Sequence, residues 1–555
     1  MKQFESNQNV LDGQGARRII RMYNKLARTL VAFEYLWHQA WVQSIDQAKS
    51  GLQATLIIRH PEDQKLYVNF DMELLQLIRE AKCLDRMGVE IPESAKIVLF
   101  QEEKLKSYYN DLHWALNEYD RIVTMVIPVT AMVLRPHFND MEYELRPGMI
   151  TLTWTSMNID SYKSHVHHGL RKLEQLVTNI NDIIEHRVEK NLKVVSRTLL
   201  VDLPENQSFT VEEFVKMQES HIMSESELLQ GKNLEIEHAV EDLVKIIAAY
   251  QFDSHVERVS DDEISKLKKH YNHFMYQALL HCAKNSMNAL KKRIATRVGT
   301  NFLYVTRPFF EVMVQLAPPE VILQPSLDDI QECINRSAQA ILQCFKTVKD
   351  WYVVAGELRD KPSAPTFFER ITKDIEIVRV ALLLTGCVQG IRNTVHDYLG
   401  SFSAYDWVWK KDKGEAYQEF IMAKPSLDDY EAQLKSFVKV DQTIEQIPSI
   451  HNIGALSLNT NSLKTQLKSE CQHWKVTYSD NLHIEAKQRL EALSEYIRST
   501  SVKLEKTVRD DDLDGLRSMM DLFKQVRERE SGIDMEIAPI MEMRGAASYG
   551  IPGAP

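Results

Sequence analysis

A long run of apolar residues that recur every three or four positions constrains this chain more than any other feature. This spacing places the side chains along one face of an α-helix, and Pro204 is expected to end that helix. A second run of the same kind begins after Pro92-Glu93 and closes at Ile127-Pro128, which are typical of a helix start and a helix stop. The first run consists of Leu170, Leu173, Val177, Ile180, Ile184, Val188, Leu192, Val195 and Leu199, and the second of Leu105, Leu112, Leu116, Tyr119, Val123 and Val126.

Neither run keeps a heptad pattern long enough to require a two-stranded coiled coil, so helices packed side by side in bundles are predicted. The composition agrees with this, because 44% of the residues are hydrophobic and 26% are charged, with few Gly (19) or Pro (17). At 555 residues the chain is long enough for about three or four packed units. The predicted fold class is all-α, an elongated array of consecutive helical bundles.

Strand signals are few and local. Residues 55–58 and 65–68 are β-prone and flank a turn-like tetrad, His60 to Asp63, which predicts a small hairpin between helices. A second β-prone pair, at 309–316 and 321–323, surrounds Ala317-Pro318-Pro319, where the chain is expected to change direction. We therefore predict one or two small β-hairpin insertions and a boundary between units at this second pair.

The sequence Pro-Ser-Leu-Asp-Asp occurs twice, at Pro325 to Asp329 and at Pro425 to Asp429. In both copies the serine is followed three residues later by an acid, which is typical of a helix N-cap. Two helix starts explain this recurrence better than a functional repeat does. The predicted division of the chain is a flexible N-terminus (1–15), helical-bundle units with the small hairpin (16–320), further helical-bundle units (321–540) and a disordered C-terminus (541–555).

The chain lacks the motifs of nucleotide and dinucleotide sites. A phosphate-binding loop needs Gly-x4-Gly-Lys followed by Ser or Thr, whereas the one Gly-Lys pair, Gly231-Lys232, is followed by Asn233. No Gly-x-Gly-x-x-Gly occurs. A net charge of −11 also disfavours a nucleic-acid partner, because like charge repels the phosphate backbone.

Two groups of histidines and six dispersed cysteines were considered as metal ligands. No Cys-x-x-Cys pair or His-Glu-x-x-His motif accompanies them, so the cysteines are interpreted as buried thiols in a reducing compartment and the histidines as solvated or core-edge side chains. We predict no enzyme, and no catalytic, cofactor-binding or metal-binding residue. The residues considered are His165, His167, His168, His270, His273, His281, Cys83, Cys282, Cys333, Cys344, Cys387 and Cys471.

The aromatic cluster from Tyr405 to Lys413 allows two interpretations. Trp407 and Trp409 beside lysines could anchor a partner surface, or they could enter the core at a helix end. Membrane insertion is not expected, because the apolar runs Ile122 to Leu134 and Val380 to Ile391 are shorter than the roughly 20 residues of a membrane span. The N-terminus has no apolar signal core, so the expected location is the cytoplasm.

Several motifs follow one another in a characteristic order. Foremost is the segment from Leu145 to Asp160, in which an expected turn at Pro147-Gly148 leads into alternating apolar residues around Trp154 and a polar end. In this order the chain resembles the tail, or N-terminal stem region, of a dynein heavy chain, most of all that of an axonemal outer-arm heavy chain. The other matching stretches are Lys25 to Leu30, Phe33-Glu34, Trp37 to Trp41, Val68 to Asp71, Leu74 to Glu80, Gly88 to Pro92, Leu316 to Glu320, Arg527 to Glu530 and Ala538 to Ile540.

This resemblance implies a non-catalytic tail that scaffolds dynein intermediate chains and neighbouring heavy chains. It also implies that the tail anchors the motor, through docking proteins and indirectly through microtubules, for ciliary movement. The implied location is the cytoskeleton of a ciliary or flagellar axoneme, without nucleic acid or membrane. In the family the Ala538 region leads towards the mechanical linker, whereas Arg544 onward departs from that pattern. The alternative from another class is a motor-independent helical scaffold or tethering protein.

Overall fold

The computed structural model describes residues 13–205, 207–249, 259–294, 308–352, 365–507 and 512–546. The chain divides into two compact units. The first comprises residues 1–196, 231–278 and 350–365, and the second comprises residues 197–230, 279–349 and 366–555. Both units are built mostly from helices, which confirms the predicted fold class.

The first unit begins with helices and one hairpin. In chain order its elements are α1 (Gln14–Gly51), β1 (Ile57–Arg59), β2 (Leu66–Val68), α2 (Met72–Arg86), α3 (Glu93–Met125), α4 (Ala131–Ile150), α5 (Ile159–Ile183), a π-helical turn (Ile184–Glu189) and α6 (Lys190–Arg197). Two long helices then contribute residues to both units, namely α7 (Val211–Ala249) and α8 (Asp261–Ile294).

The remaining elements belong to the second unit. They are β3 (Phe310–Ala317), β4 (Glu320–Gln324), α9 (Leu327–Gln343), α10 (Phe368–Thr372), α11 (Ile375–Leu384), α12 (Gln389–Gly400), α13 (Asp406–Lys410), α14 (Lys413–Met422), α15 (Leu427–Glu445), β5 (Ile450–Ile453), β6 (Leu456–Asn459), α16 (Asn461–Leu504) and α17 (Leu513–Ala546).

The two apolar runs form helices, but the longer one differs from the prediction in two ways. It contains a π-helical turn, and it ends at Arg197 rather than at Pro204, so Leu199 lies beyond it. Past Arg197 the backbone N–H of Leu200 donates to Ser286 Oγ at 2.8 Å rather than to a carbonyl of the helix. Helix α3 begins after Pro92 and ends before Ile127-Pro128, as predicted. The longer run is interrupted by the π-helical turn, whose additional residue shifts the buried face. Beyond the turn, Asn191 is buried while Leu199 is exposed. The Asn191 amide is satisfied there, because its Nδ2 donates to Glu235 Oε2 at 2.9 Å.

Both predicted strand pairs form, but the second belongs to a larger sheet. Strands β1 and β2 pair antiparallel, with Ile58 opposite Tyr67. Strands β3 and β4 also pair antiparallel, and parallel pairing of β3 with β6 extends them to a four-stranded sheet of order β4-β3-β6-β5. The sequence analysis did not predict β5 and β6, because each has only four residues and β6 pairs with β3, a strand far earlier in the chain.

The structure differs from the expected flexible N-terminus and disordered C-terminus at the residues that it describes. Helix α1 already includes residues 14 and 15, and α17 continues through residues 541–546, so these residues are helical rather than flexible or disordered. Residues 1–12 and 547–555 lie outside the described residues. The division after residue 320 stays a prediction; that point lies beside the turn between β3 and β4, within one compact unit.

Both Pro-Ser-Leu-Asp-Asp copies start helices, as predicted. In α9 the backbone N–H of Asp329 donates to Ser326 Oγ at 3.2 Å, and the N–H of Ser326 donates to Asp329 Oδ2 at 3.0 Å. The same capping box joins Ser426 and Asp429 at the start of α15. In α9 the Ser326 hydroxyl also donates to Asp329 Oδ2 at 2.8 Å. This bond, followed by the one from the Ser326 N–H, holds the pKa of the Asp329 carboxyl below its usual value.

We expect Ser326→Ala to lower the free energy of unfolding by about 1 kcal/mol, because the backbone N–H of Asp329 loses its acceptor and the Asp329 carboxylate loses the hydroxyl donor. Urea titration followed by circular dichroism measures this change. The control is Ser436→Ala on α15, where the exposed hydroxyl donates to the Gln433 carbonyl within the helix. Equal effects of the two substitutions would contradict a capping role.

A buried carboxylate joins α2 to α3. Glu102 is 4% exposed, and its two oxygens accept from the ammonium groups of Lys82 on α2 and Lys106 on α3. The hydrogen bond from Lys106, then that from Lys82, lowers the pKa of Glu102 below its ordinary value of 4.5. A carboxyl whose pKa falls on folding stabilises the folded state when it is ionised.

We therefore expect Glu102→Gln to destabilise the chain by roughly 1–3 kcal/mol at pH 7. The difference from the wild type should be complete above about pH 5 and should shrink as the pH falls through the folded pKa, because the wild-type carboxylate is then protonated. Thermal unfolding at several pH values measures it. The neighbouring Glu103 is exposed, so Glu103→Gln should show no comparable pH-dependent difference.

Candidate functional sites

The Gly231-Lys232 pair lies in the interior of helix α7, and a phosphate-binding loop cannot form there. The Lys232 ammonium is already engaged, since Nζ donates to Glu235 Oε1 and Oε2 at 3.0 and 2.8 Å. This pair therefore serves the helix rather than a nucleotide.

The histidine groups are occupied by protein contacts. His165 Nδ1 lies 2.7 Å from the Ser161 carbonyl oxygen, and the His167 ring packs on Trp114. Burial lowers the pKa of His270, which packs edge-on against Phe274. Across the described residues, no group of three or more His, Cys, Asp or Glu side chains is arranged to hold a metal ion.

Five of the six cysteines are buried, and one prediction about them was wrong. Cys83 is exposed, because it occupies a solvent-facing position of α2 between the buried Ala81 and Leu84. Burial raises the pKa of the Cys282 thiol to about 12 and that of Cys333 to about 11. Thiols with such pKa values are poor nucleophiles at neutral pH.

The aromatic cluster packs inward. Trp407 stacks on Phe437 with ring centroids 5.9 Å apart and meets Trp474 at 5.6 Å. The Trp474 Nε1 donates to the Val408 carbonyl at 2.8 Å, and the Trp409 Nε1 donates to the Pro319 carbonyl at 3.2 Å. The core interpretation therefore describes Trp407, which packs on core aromatic rings, although Trp407 and Trp409 are both only half-buried.

The segment around Trp154 is a structural junction rather than an exposed motif. The predicted turn at Pro147-Gly148 was wrong, because both residues lie in the last turns of α4. The chain leaves the helix only after Ile150, with the backbone N–H of Leu152 donating to the Pro147 carbonyl at 2.9 Å.

Beyond α4 the segment attaches to the β1–β2 hairpin. The N–H of Leu56 donates to the Leu152 carbonyl at 3.2 Å, and Trp154 Nε1 donates to the Asn69 carbonyl at 2.8 Å. The buried Trp154 ring also meets Phe70 edge-on, with centroids 4.7 Å apart. The short segment between α4 and α5 thus attaches the β1–β2 hairpin to these two helices. We call this arrangement the Trp154 junction.

Gly148 is required by close packing inside this junction. Tyr162 of α5 lies across the α4 backbone, and its Oη donates to the Leu145 carbonyl at 3.0 Å. A Cβ added at Gly148 would press on Tyr162 Oη, lie 2.8 Å from Tyr162 Cζ and lie 3.1 Å from Ile57 Cδ1. The glycine therefore permits three elements, α4, α5 and β1, to meet at one point.

Comparisons with known proteins agree with the order of motifs along the chain. Residues 1–162 match the family model of the dynein heavy chain N-terminal region 1. The chain is 39% identical, over 98% of its length, to the flagellar outer-arm dynein gamma chain of Chlamydomonas reinhardtii. Along nearly its whole length the chain is therefore similar to dynein heavy chains. It is also 28% identical to human dynein axonemal heavy chain 8 over 97% of its length, and 25% identical to mouse dynein axonemal heavy chain 5 over 98%.

The chain spans only 12 to 14% of the length of these relatives. The residues that match the dynein family model extend over α1 to the start of α5, so they include the whole Trp154 junction. None of the helices within the described part of the chain is long and apolar enough to cross a membrane.

The close packing at Gly148 predicts that a side chain added there destabilises the fold. We expect Gly148→Ala to lower the free energy of unfolding by roughly 1–3 kcal/mol, because the new methyl group overpacks against Tyr162. Urea unfolding measures the loss, and hydrogen exchange should locate it to residues 145–162.

Gly231→Ala is the matched control, since that glycine also lies in a helix and a Cβ there meets no atom within 4 Å. We expect it to be neutral or stabilising by up to about 1 kcal/mol, because Ala favours the helix. Equal effects of the two substitutions would show that helix propensity, and not the contact with Tyr162, decides the result at Gly148.

Proposed function

We propose that this chain acts as a non-catalytic tail region of an axonemal dynein heavy chain. Its helical units hold intermediate chains and neighbouring heavy chains and anchor the motor for ciliary movement. The observation that carries this proposal is the 39% identity along nearly the whole chain to a flagellar outer-arm dynein heavy chain. The same relatives support a cytoskeletal location in the axoneme.

The described polar groups fit a structural role. Carboxylates such as Asp329 and Glu102 cap helices or join them, and the thiol of Cys282 is buried. The surface also exposes apolar side chains at helical spacing, which are typical of surfaces that contact other proteins.

Helix α11 supplies the most specific of these surfaces in the second unit. Its residues Ile377, Val380 and Leu384 are buried. Its other face exposes Ile375, Val378 and Leu382, which are spaced by three and four positions and are 44 to 84% exposed. A helix that is apolar on both faces is usually buried on both. We therefore propose that the exposed face of α11 contacts a dynein subunit.

The test is affinity capture with the purified, tagged chain in a salt extract of Chlamydomonas reinhardtii flagellar axonemes, read by mass spectrometry. We expect dynein intermediate chains among the captured proteins at levels well above those obtained with an unrelated helical protein of similar charge. Failure to enrich any dynein subunit would overturn the proposed function.

We expect Ile375→Glu/Leu382→Glu to lower the recovery of intermediate chains at least tenfold, because two charges would have to be buried at the contact. The matched control, Gln442→Glu/Gln472→Glu, adds the same charge at exposed positions of α15 and α16 and should leave recovery unchanged. Circular dichroism confirms that both variants are folded. Unchanged recovery with the α11 variant would exclude this face as the contact without overturning the tail function.

A further inference from the structure

A groove follows the edge of strand β2 in the first unit. Its volume is about 440 Å³, which lies within the usual range of ligand sites in proteins. One wall consists of five consecutive residues, Gln64 to Val68. Side chains of a strand alternate between its two faces, so a groove lined by five successive residues follows the backbone edge rather than either face. We call it the β2 groove.

The opposite wall is one face of helix α3. It is lined by residues three or four positions apart, which lie on the same side of a helix. This face extends for about 15 Å at 1.5 Å per residue, and the β2 wall extends for about 13 Å at 3.3 Å per residue. The groove therefore has room for an extended segment of about four residues. The lining residues of α3 include His113, Leu116, Asn117, Asp120 and Val123.

The edge of β2 carries backbone groups that β1 does not use. At the end of the hairpin the N–H of Asn69 donates to the Leu56 carbonyl at 2.9 Å. Bonded residues alternate along an antiparallel pair, so Tyr67 bonds to β1, whereas Leu66 and Val68 direct their N–H and C=O groups away from it. Within the part of the chain that the structure describes, no residue bonds to these four groups.

The permanent charges of the lining cancel. Arg59 Nη2 lies 3.1 Å from Glu142 Oε2, and Lys65 Nζ donates to Asp120 Oδ2 at 2.7 Å. A charged side chain entering the groove would therefore lose water without gaining a partner. Val123 adds apolar surface, since its side chain lines the groove and is 43% exposed. The matching occupant is an uncharged extended segment with apolar side chains at alternate positions.

We propose that the β2 groove binds an extended peptide segment of a partner protein, which adds a third strand to the β1–β2 hairpin. The backbone of the segment bonds to Leu66 and Val68, and every second side chain packs against Val123. The ion pair between Lys65 and Asp120 moves aside at little cost, because both side chains are about half-exposed. This inference goes beyond the proposed function, which rests on a helix face of the second unit.

The probe is a library of random decapeptides displayed on phage and selected on the full chain. We expect the enriched peptides to carry apolar residues at alternate positions. One of them, labelled with fluorescein, is titrated with the chain and followed by fluorescence polarisation. Methylation of the peptide nitrogens that face β2 should weaken binding about tenfold, whereas methylation of the nitrogens between them should change it less than about twofold, because only alternate amides bond to a neighbouring strand.

Two substitutions in the chain test the two walls. Val123→Glu should weaken binding about tenfold, because it places an unpaired carboxylate against the bound segment. Its matched control is Thr124→Glu, which adds the same charge at an exposed position of α3 outside the groove and should leave the affinity unchanged. Val68→Pro removes one N–H from the edge of β2, a change that edge strands tolerate, and should weaken binding as well.

Circular dichroism checks that all three variants keep the helical content of the wild type. The proposal is overturned if no peptide is enriched, or if neither Val123→Glu nor Val68→Pro lowers the affinity of the enriched peptide. A loss with Val123→Glu alone, without any effect of peptide methylation, would indicate side-chain docking and would exclude the added strand.

Discussion

The packing of Tyr162 across the backbone of α4 is the constraint on which the first unit depends. It is possible only because position 148 carries no side chain, and it brings α4, α5 and β1 to a common point. The connection between the two helices is then short enough for Trp154 to reach the carbonyl of Asn69. The absence of a side chain at Gly148 thus allows the β1–β2 hairpin and helices α4 and α5 to meet at this point.

Helices and caps that depend on neighbouring residues were predictable from the sequence. Features that depend on residues far away in the chain were not. The helices of the long apolar runs and the serine caps follow from residues within a few positions of each other. The place of β6 in the sheet does not, because β6 pairs in parallel with β3, which lies far earlier in the chain. Gly148 was misinterpreted for a related reason: a Pro-Gly pair indicates a turn locally, whereas here the glycine makes room for a tyrosine of the next helix. The spacing of apolar residues such as Leu26 and Leu30 along α1 is present in the sequence, but their exposure is known only from the structure.

The chemistry of the described residues is directed inward. Ionisable groups close helix ends, as Asp329 does, or join helices, as Glu102 does, and they are thereby held in one charge state at neutral pH. Apolar side chains, in contrast, are present in excess of what the two units bury. This distribution of groups is suited to the proposed tail function, in which exposed apolar surfaces contact other proteins.

The π-helical turn between α5 and α6 gives this long helix a built-in change of phase. One additional residue rotates everything that follows it by about 100°, so a single helix presents one row of side chains before the turn and a different row after it. Beyond the turn, Asn191 is buried and donates to Glu235 Oε2 at 2.9 Å. Such a helix can pack against two sets of neighbours without a bend or a break. The hydrogen bond between Asn191 and Glu235 fixes its position along the helix axis.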